Sequence, residues 1–250
     1  MIFLLEGNPF FDAYVESDFL GKLIFLGLIG LSVLTWSVLV HKLWMLKRVK
    51  RESSGFRKIF MDQKINPLEL QFPGKAQATK VHPECPNAFF IVYEVLKNKT
   101  LEILDKNQKV TQQMNKNLNS NVYLSPSDVA LLDSCASSTI SSLTKYFDKN
   151  LYILSTIVTL APFLGLLGTV YGILTTFSGM KSDPSAASNQ VVLSGLSLAL
   201  TTTVIGLVDA IPALIGYNYL KNIVHDFDAD MNRFANDILS SIEMHYRKVE

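Results

Sequence analysis

LYILSTIVTLAPFLGLLGTVYGILTTFSGM, residues 151–180, contains no charged side chain, and the nearest ones are Lys149 and Lys181. A hydrocarbon core of about 30 Å is crossed by about 20 apolar residues in a helix, so this run is long enough to span a bilayer. Two other runs resemble it. Residues 23–40 are free of charge between Lys22 and His41, and residues 184–220 carry one charged group, Asp209. Charge is concentrated between the runs, and this distribution says more than the totals. A hydrophobic share of 48% suits a soluble protein, and a net charge of +1 gives no preference for nucleic acid. Buried helices of soluble proteins rarely run this far without a charge. The reading is therefore an all-α integral membrane protein with three transmembrane helices, at 20–46, 151–180 and 189–220, in contact with a lipid bilayer.

The flanking charges orient these spans. The first 20 residues hold Glu6, Asp12, Glu16 and Asp18 and no Lys or Arg, the opposite of a basic leader, so the first span is expected to be retained. Lys42, Lys47, Arg48, Lys50, Arg51, Arg57 and Lys58 follow it. Basic residues collect on the cytoplasmic side, which places 1–19 outside, 47–150 in the cytoplasm, 181–188 outside as a short loop, and 221–250 in the cytoplasm as a helical tail. Lys221, Arg233, Arg247 and Lys248 agree. Cys85 and Cys135 then lie where thiols stay reduced, and no disulfide is expected. His82-Pro83-Glu84-Cys85 reads as loop, because two metal-type ligands without a second pair make no site.

Outside the spans, Pro9 opens a stretch over 10–20 with acids on one side and apolar residues on the other, suited to a membrane interface. Pro67, Pro73, Pro83 and Pro86 mark a loop over 66–86, followed by a helix from about 87 to 119. Ser125-Pro126-Ser127-Asp128 has the form of a helix start: a capping hydroxyl, a proline at the first turn and an acid at the positive end of the dipole. From there Val129, Leu132, Ala136, Ile140, Leu143, Phe147 and Leu151 recur at steps of three and four into the second span. One unbroken helix is predicted over 126–178, about 80 Å long. The third span likewise runs on through an apolar stripe of Ile223, Phe227, Met231, Phe234, Ile238 and Ile242, with Asp226, Asp228 and Asp230 mostly off it. The stripes need a surface to pack on, either within the chain or on neighbouring copies.

No catalytic constellation is present: no glycine-rich phosphate loop with a lysine, no His–carboxylate pairing at useful spacing, no nucleophile elbow. Neither an enzyme nor a cofactor is expected. The polar signal lies inside the spans. Ser155, Pro162, Gly165, Thr169, Gly172 and Thr176 share one face of the second helix, and Gly168 and Gly172 form a GxxxG pair that allows close helix approach. Such a face is either a packing seam or the wall of a narrow hydrated path. Ser194, Ser197, Thr201, Thr202 and Thr203 cover more than one face of the third helix. Asp209 is the only formal charge within the spans, 12 residues from Lys221 and so about 18 Å from it along the axis. A carboxylate at membrane depth costs roughly 2.5–3.5 kcal/mol on insertion scales, which makes it a functional candidate. The alternative is a structural bond to a neighbouring hydroxyl or contact with cytoplasmic water.

Two blocks carry a family resemblance. Residues 161–173, APFLGLLGTVYGI, resemble the second-helix signature of the ExbB/TolQ family, with Tyr171 where Trp is usual. Residues 206–213, GLVDAIPA, followed by Tyr217-Asn218, resemble the third-helix signature. The resemblance implies a pentamer whose second and third helices line a pore in the bacterial inner membrane. A dimer of a single-span ExbD/TolR-like partner would stand in that pore, and proton-motive force would drive work on the envelope: outer-membrane import or maintenance of envelope integrity. By position, Thr169 and Thr203 match the family's pore threonines. Pro162, Gly165, Gly168, Gly172, Gly206, Pro212 and Asn218 match its structural residues, and Thr176 lies on the same pore and packing face.

The family usually carries a Glu in the outer part of the third helix, and the matching residue here is Leu198. Leu198 and Asp209 are 11 residues apart, so their side chains point within about 20° of each other and about 16 Å apart along the axis. Asp209 is thus a candidate to take over the missing carboxyl's part in the ion pathway beside Thr169 and Thr203. Two functions compete. One is a proton-driven motor subunit, favoured by the two threonines. The other is a non-conducting membrane scaffold that anchors partner proteins, favoured by loss of the Glu.

Overall fold

The computed structural model describes residues 14–15, 17–62, 68, 87–114, 123–182 and 189–246. Five helices account for nearly all of them: α1 (Phe19–Asp62), α2 (Ala88–Met114), α3 (Pro126–Asp148), α4 (Leu151–Ser182) and α5 (Asn189–Tyr246). Three are long and apolar enough to cross a membrane, over Phe19–Lys58, Leu151–Met180 and Gly195–Tyr246. The all-helical membrane class read from the charge-free runs is what the chain adopts. Most of the stretch before Phe19 and most of the loop over 66–86, including its His-Pro-Glu-Cys, lie outside the described residues, as do the end of the helix expected up to 119 and residues 183–188 of the loop expected between the second and third spans.

The chain divides into two compact units. The first takes Met1–Lys42 and Asn150–Lys221, the second Leu43–Lys149 and Asn222–Glu250. In the first unit the apolar core is small. Ile24 and Leu28 of α1, Ile157 and Ala161 of α4, and Ala210 and Ala213 of α5 form one buried cluster. Outward-facing positions are apolar as well: Leu26, Val33, Phe163, Val170, Leu200 and Ile211 are all more than half exposed. A helix that is hydrophobic all round belongs in a membrane or a large core, and only 22–44% of the three apolar windows is buried within the chain.

The second unit is held by aromatic packing. Phe234 stacks on Phe89 with ring centroids 4.9 Å apart and meets Phe56 and Phe60 edge-on at 6.0 and 5.2 Å. Phe147 of α3 meets Phe227 of α5 at 5.5 Å. Burial pushes the phenol of the neighbouring Tyr93 up to about 12. The two stripes left open by the sequence therefore find their partners inside this unit: Leu132, Ala136, Ile140, Leu143 and Phe147 on one helix, Phe227, Met231, Phe234, Ile238 and Ile242 on the other are all buried. Polar bonds add register. Thr144 Oγ1 donates to Asp228 Oδ1 at 2.5 Å, and the carboxylates of Asp230 and Asp237 lie 3.9 and 4.0 Å from the Arg57 guanidinium.

The start of α3 follows the reading in full. Ser125 caps it, Pro126 occupies the first turn, and Asp128 Oδ2 accepts the Ser125 backbone N–H at 3.0 Å to close a capping box. Its end does not follow it. The single helix expected over 126–178 is broken at Lys149-Asn150, where Asn150 takes φ 72°. Apolar spacing carries on through the break because Phe147 and Leu151 are both buried, although in different units. Asparagine is among the few non-glycine residues that tolerate this left-handed conformation. Asn150→Ala is expected to lose roughly 1–2 kcal/mol and Asn150→Gly to be neutral or better, as read by thermal unfolding in detergent. If the alanine form unfolds at the wild-type temperature, the break is not held by residue 150.

Candidate functional site

The polar residues of the spans meet in the first unit, where α4 and α5 approach so closely that only small residues fit. A methyl group on Gly206 would stand 2.6 Å from the Ala161 carbonyl oxygen, one on Gly172 2.7 Å from the Gly195 carbonyl, and one on Gly165 3.0 Å from the Thr202 carbonyl. Gly168 is packed against the Thr202 side chain and Gly195 against that of Thr176. The small face of the second span is thus occupied by the third span of the same chain. A seam of small residues on this helix suggests an interface between copies, but within one copy the face is already filled.

This proximity brings the two predicted threonines together. Thr169 Oγ1 and Thr203 Oγ1 are hydrogen-bonded to each other. Thr169 Oγ1 also lies 3.1 Å from the Gly165 carbonyl and 3.3 Å from that of Ala199, and Thr203 Oγ1 lies 3.2 and 3.3 Å from the same two oxygens. Each hydroxyl has one proton to give. One threonine therefore donates to the other, which in turn donates to a carbonyl, and the order can reverse without moving a heavy atom. Both side chains are half-buried. Thr202, which the sequence did not single out from its neighbours, is fully buried and held by the Ala199 carbonyl at 3.0 Å and the Leu198 carbonyl at 3.1 Å.

The remaining residues are less gathered. Thr176 Oγ1 donates to the Gly172 carbonyl at 2.8 Å, and Pro162 and Pro212 sit inside α4 and α5, half-buried. Asn218 is exposed. Asp209 does not join the threonine pair. Six residues separate it from Thr203, about 120° around the helix and about 9 Å along it. It is 6% exposed and faces α1, where Ser32 stands beside its carboxyl. Leu198 lies on the same side, as its spacing from Asp209 required, and packs on Phe25 of α1. Ser32 was missed because nothing in the first span tells which of its hydroxyls, Ser32, Thr35 or Ser37, meets a neighbour. Among the described residues no group of three His, Cys, Asp or Glu is placed to hold a metal ion.

The model of the MotA/TolQ/ExbB proton channel family matches residues 92–233, from α2 into α5. The chain is similar to the biopolymer transport protein ExbB of Aquifex aeolicus, at 39% identity over 103 residues, 41% of this chain and 69% of that one. It is similar over more of its length to ExbB of Salmonella typhimurium, at 25% identity over 230 residues, 90% of this chain and 83% of the relative. The Tol-Pal system protein TolQ of Haemophilus influenzae is 23% identical over 230 residues, covering 91% of both chains.

Proposed function

Since this chain belongs to the MotA/TolQ/ExbB proton channel family, we propose that it is the channel subunit of a proton-driven motor that works on the bacterial envelope, in outer-membrane import or in envelope integrity. The observation that carries the reading is the Thr169–Thr203 pair, bonded across the seam between two candidate spans. A hydroxyl passes a proton by accepting one and giving another, without bringing formal charge into the span. The acid that loads this relay is supplied by a partner: a short protein with one membrane span, present as two copies in a pore ringed by five copies of this chain. The chain sits in the inner membrane with its N-terminus outside, and α1 and α5 continue past their spans into the cytoplasm. Thr176, Pro162, Gly165, Gly168, Gly172 and Gly206 hold the pore wall in place, with Pro212 and Asn218 further along α5.

A second reading has one observation in its favour. Leu198, at the position of the family's Glu, packs on Phe25 and offers no group to a proton. A ring of the same fold that only anchors partners follows if that loss is not made good. Native mass measurement of the detergent-extracted complex, taken from cells expressing the chain at its natural level, tests the assembly. Several copies together with a short single-span protein are expected, and a bare monomer would overturn both readings.

A further inference from the structure

We propose that Asp209 and Ser32 form a proton-binding site between α5 and α1, separate from the threonine pair. The carboxyl is nine-tenths buried, and its Oδ2 has no hydrogen-bond partner among the described residues. Ser32 of α1 is the hydroxyl that stands beside it. Thr35, one turn along α1 and 1% exposed, does not supply a second, because its proton goes to the Leu31 carbonyl at 2.8 Å.

Among the described residues, no Lys or Arg lies within two helical turns of the site along α1, α4 or α5. On α1, residues 23–40 hold no charged or titratable side chain, and His41 lies nine residues beyond Ser32, about 13 Å along the axis. On α4, residues 151–180 hold only the phenols of Tyr152 and Tyr171. On α5 itself the nearest titratable group is Tyr217, about 12 Å away, followed by Lys221 at about 18 Å. Leu28, Ala210 and Ala213 supply the apolar wall.

A carboxylate accepts at about four lone-pair positions, and the single Ser32 hydroxyl can fill at most one of them. A buried anion left so short of donors and without a counter-charge is poorly held. A proton on Oδ2 removes both defects at once, since it cancels the charge and turns the orphaned acceptor into a donor. Ser32 then bonds the other oxygen. The site takes up and releases a proton at a carboxyl that faces the first span, whereas the threonine pair lies about 120° away on the same helix. The inference does not rest on the motor reading, because a scaffold with this carboxyl would bind the proton equally.

Infrared difference spectroscopy on the purified chain in lipid, without any partner, tests it. At neutral pH the wild type is expected to show the carbonyl band of one protonated carboxylic acid per chain, downshifted in heavy water and lost in Asp209→Asn. Ser32→Ala is expected to keep that band and raise its frequency by removing the donor, which identifies the band even if the asparagine variant fails to fold. Carboxylate bands alone at neutral pH would overturn the proposal. So would an acid band that does not shift in heavy water, because a proton that never exchanges is structural.

Discussion

Proton flux through the reconstituted complex is expected to fall at least about fivefold when Thr169 and Thr203 are both replaced by valine, with the amount of assembled protein unchanged. Valine keeps the branched shape and removes the hydroxyl. Losing a buried hydrogen-bonding group costs about 1–3 kcal/mol, and about 1.4 kcal/mol is a factor of ten in rate. The two hydroxyls share one bond and the same two carbonyls, so each single variant should already show most of the loss. Stability is spared because the Gly165 and Ala199 carbonyls remain inside α4 and α5, where the backbone N–H four residues on still serves them. A pH-sensitive dye inside liposomes reads the flux, and native mass reads the assembly. Full flux in the double variant removes the pair from the mechanism and leaves the scaffold reading.

The other large effect is expected at Gly206. Any side chain there meets the Ala161 carbonyl at 2.6 Å and the Gly165 Cα at 3.3 Å, both backbone atoms that cannot swing away. Gly206→Leu is expected to yield no folded protein, and Gly206→Ala to lose about 1–3 kcal/mol, the usual range for overpacking. Gly27 and Gly30 of α1 are the controls, since nothing lies within 4 Å of a methyl group on either. Alanine there is expected to be neutral or to gain up to about 1 kcal/mol from helix propensity. Thermal unfolding in detergent separates the cases. A Gly206→Leu chain that melts with the wild type would show that the α4–α5 seam is not as tight as described. Because the seam lies within one copy, Gly168→Leu and Gly172→Leu should likewise damage the fold before they affect any assembly.

The spans were legible because membrane crossing depends on a one-dimensional property, the length of a run without charge. The start of α3 was legible because Ser125, Pro126 and Asp128 act on their own backbone neighbours. The break at Asn150 was not, since an apolar stripe reports which residues are buried and not whether one helix or two present them. The threonine pair illustrates the same boundary from the other side. Thr169 and Thr203 were singled out by resemblance, and spacing could place each on a face of its helix, but their bond depends on how closely α4 and α5 approach. Asp209 was found by its cost in the membrane. That it turns toward Ser32 and away from Thr203 depends on where α1 lies, and no periodicity within α5 encodes that.

The seam also sets how this sequence can drift. At Gly165, Gly172 and Gly206 backbone lies against the space a side chain would take, so descendants of the chain are confined to the smallest residue there. One position on, Leu166, Ile173 and Leu207 are exposed within the copy, and no backbone of the same chain limits the side chain there. Lineages diverging from this chain should therefore accumulate differences in a rhythm of the helix turn, nearly silent on the seam side of α4 and α5 and more frequent on the other.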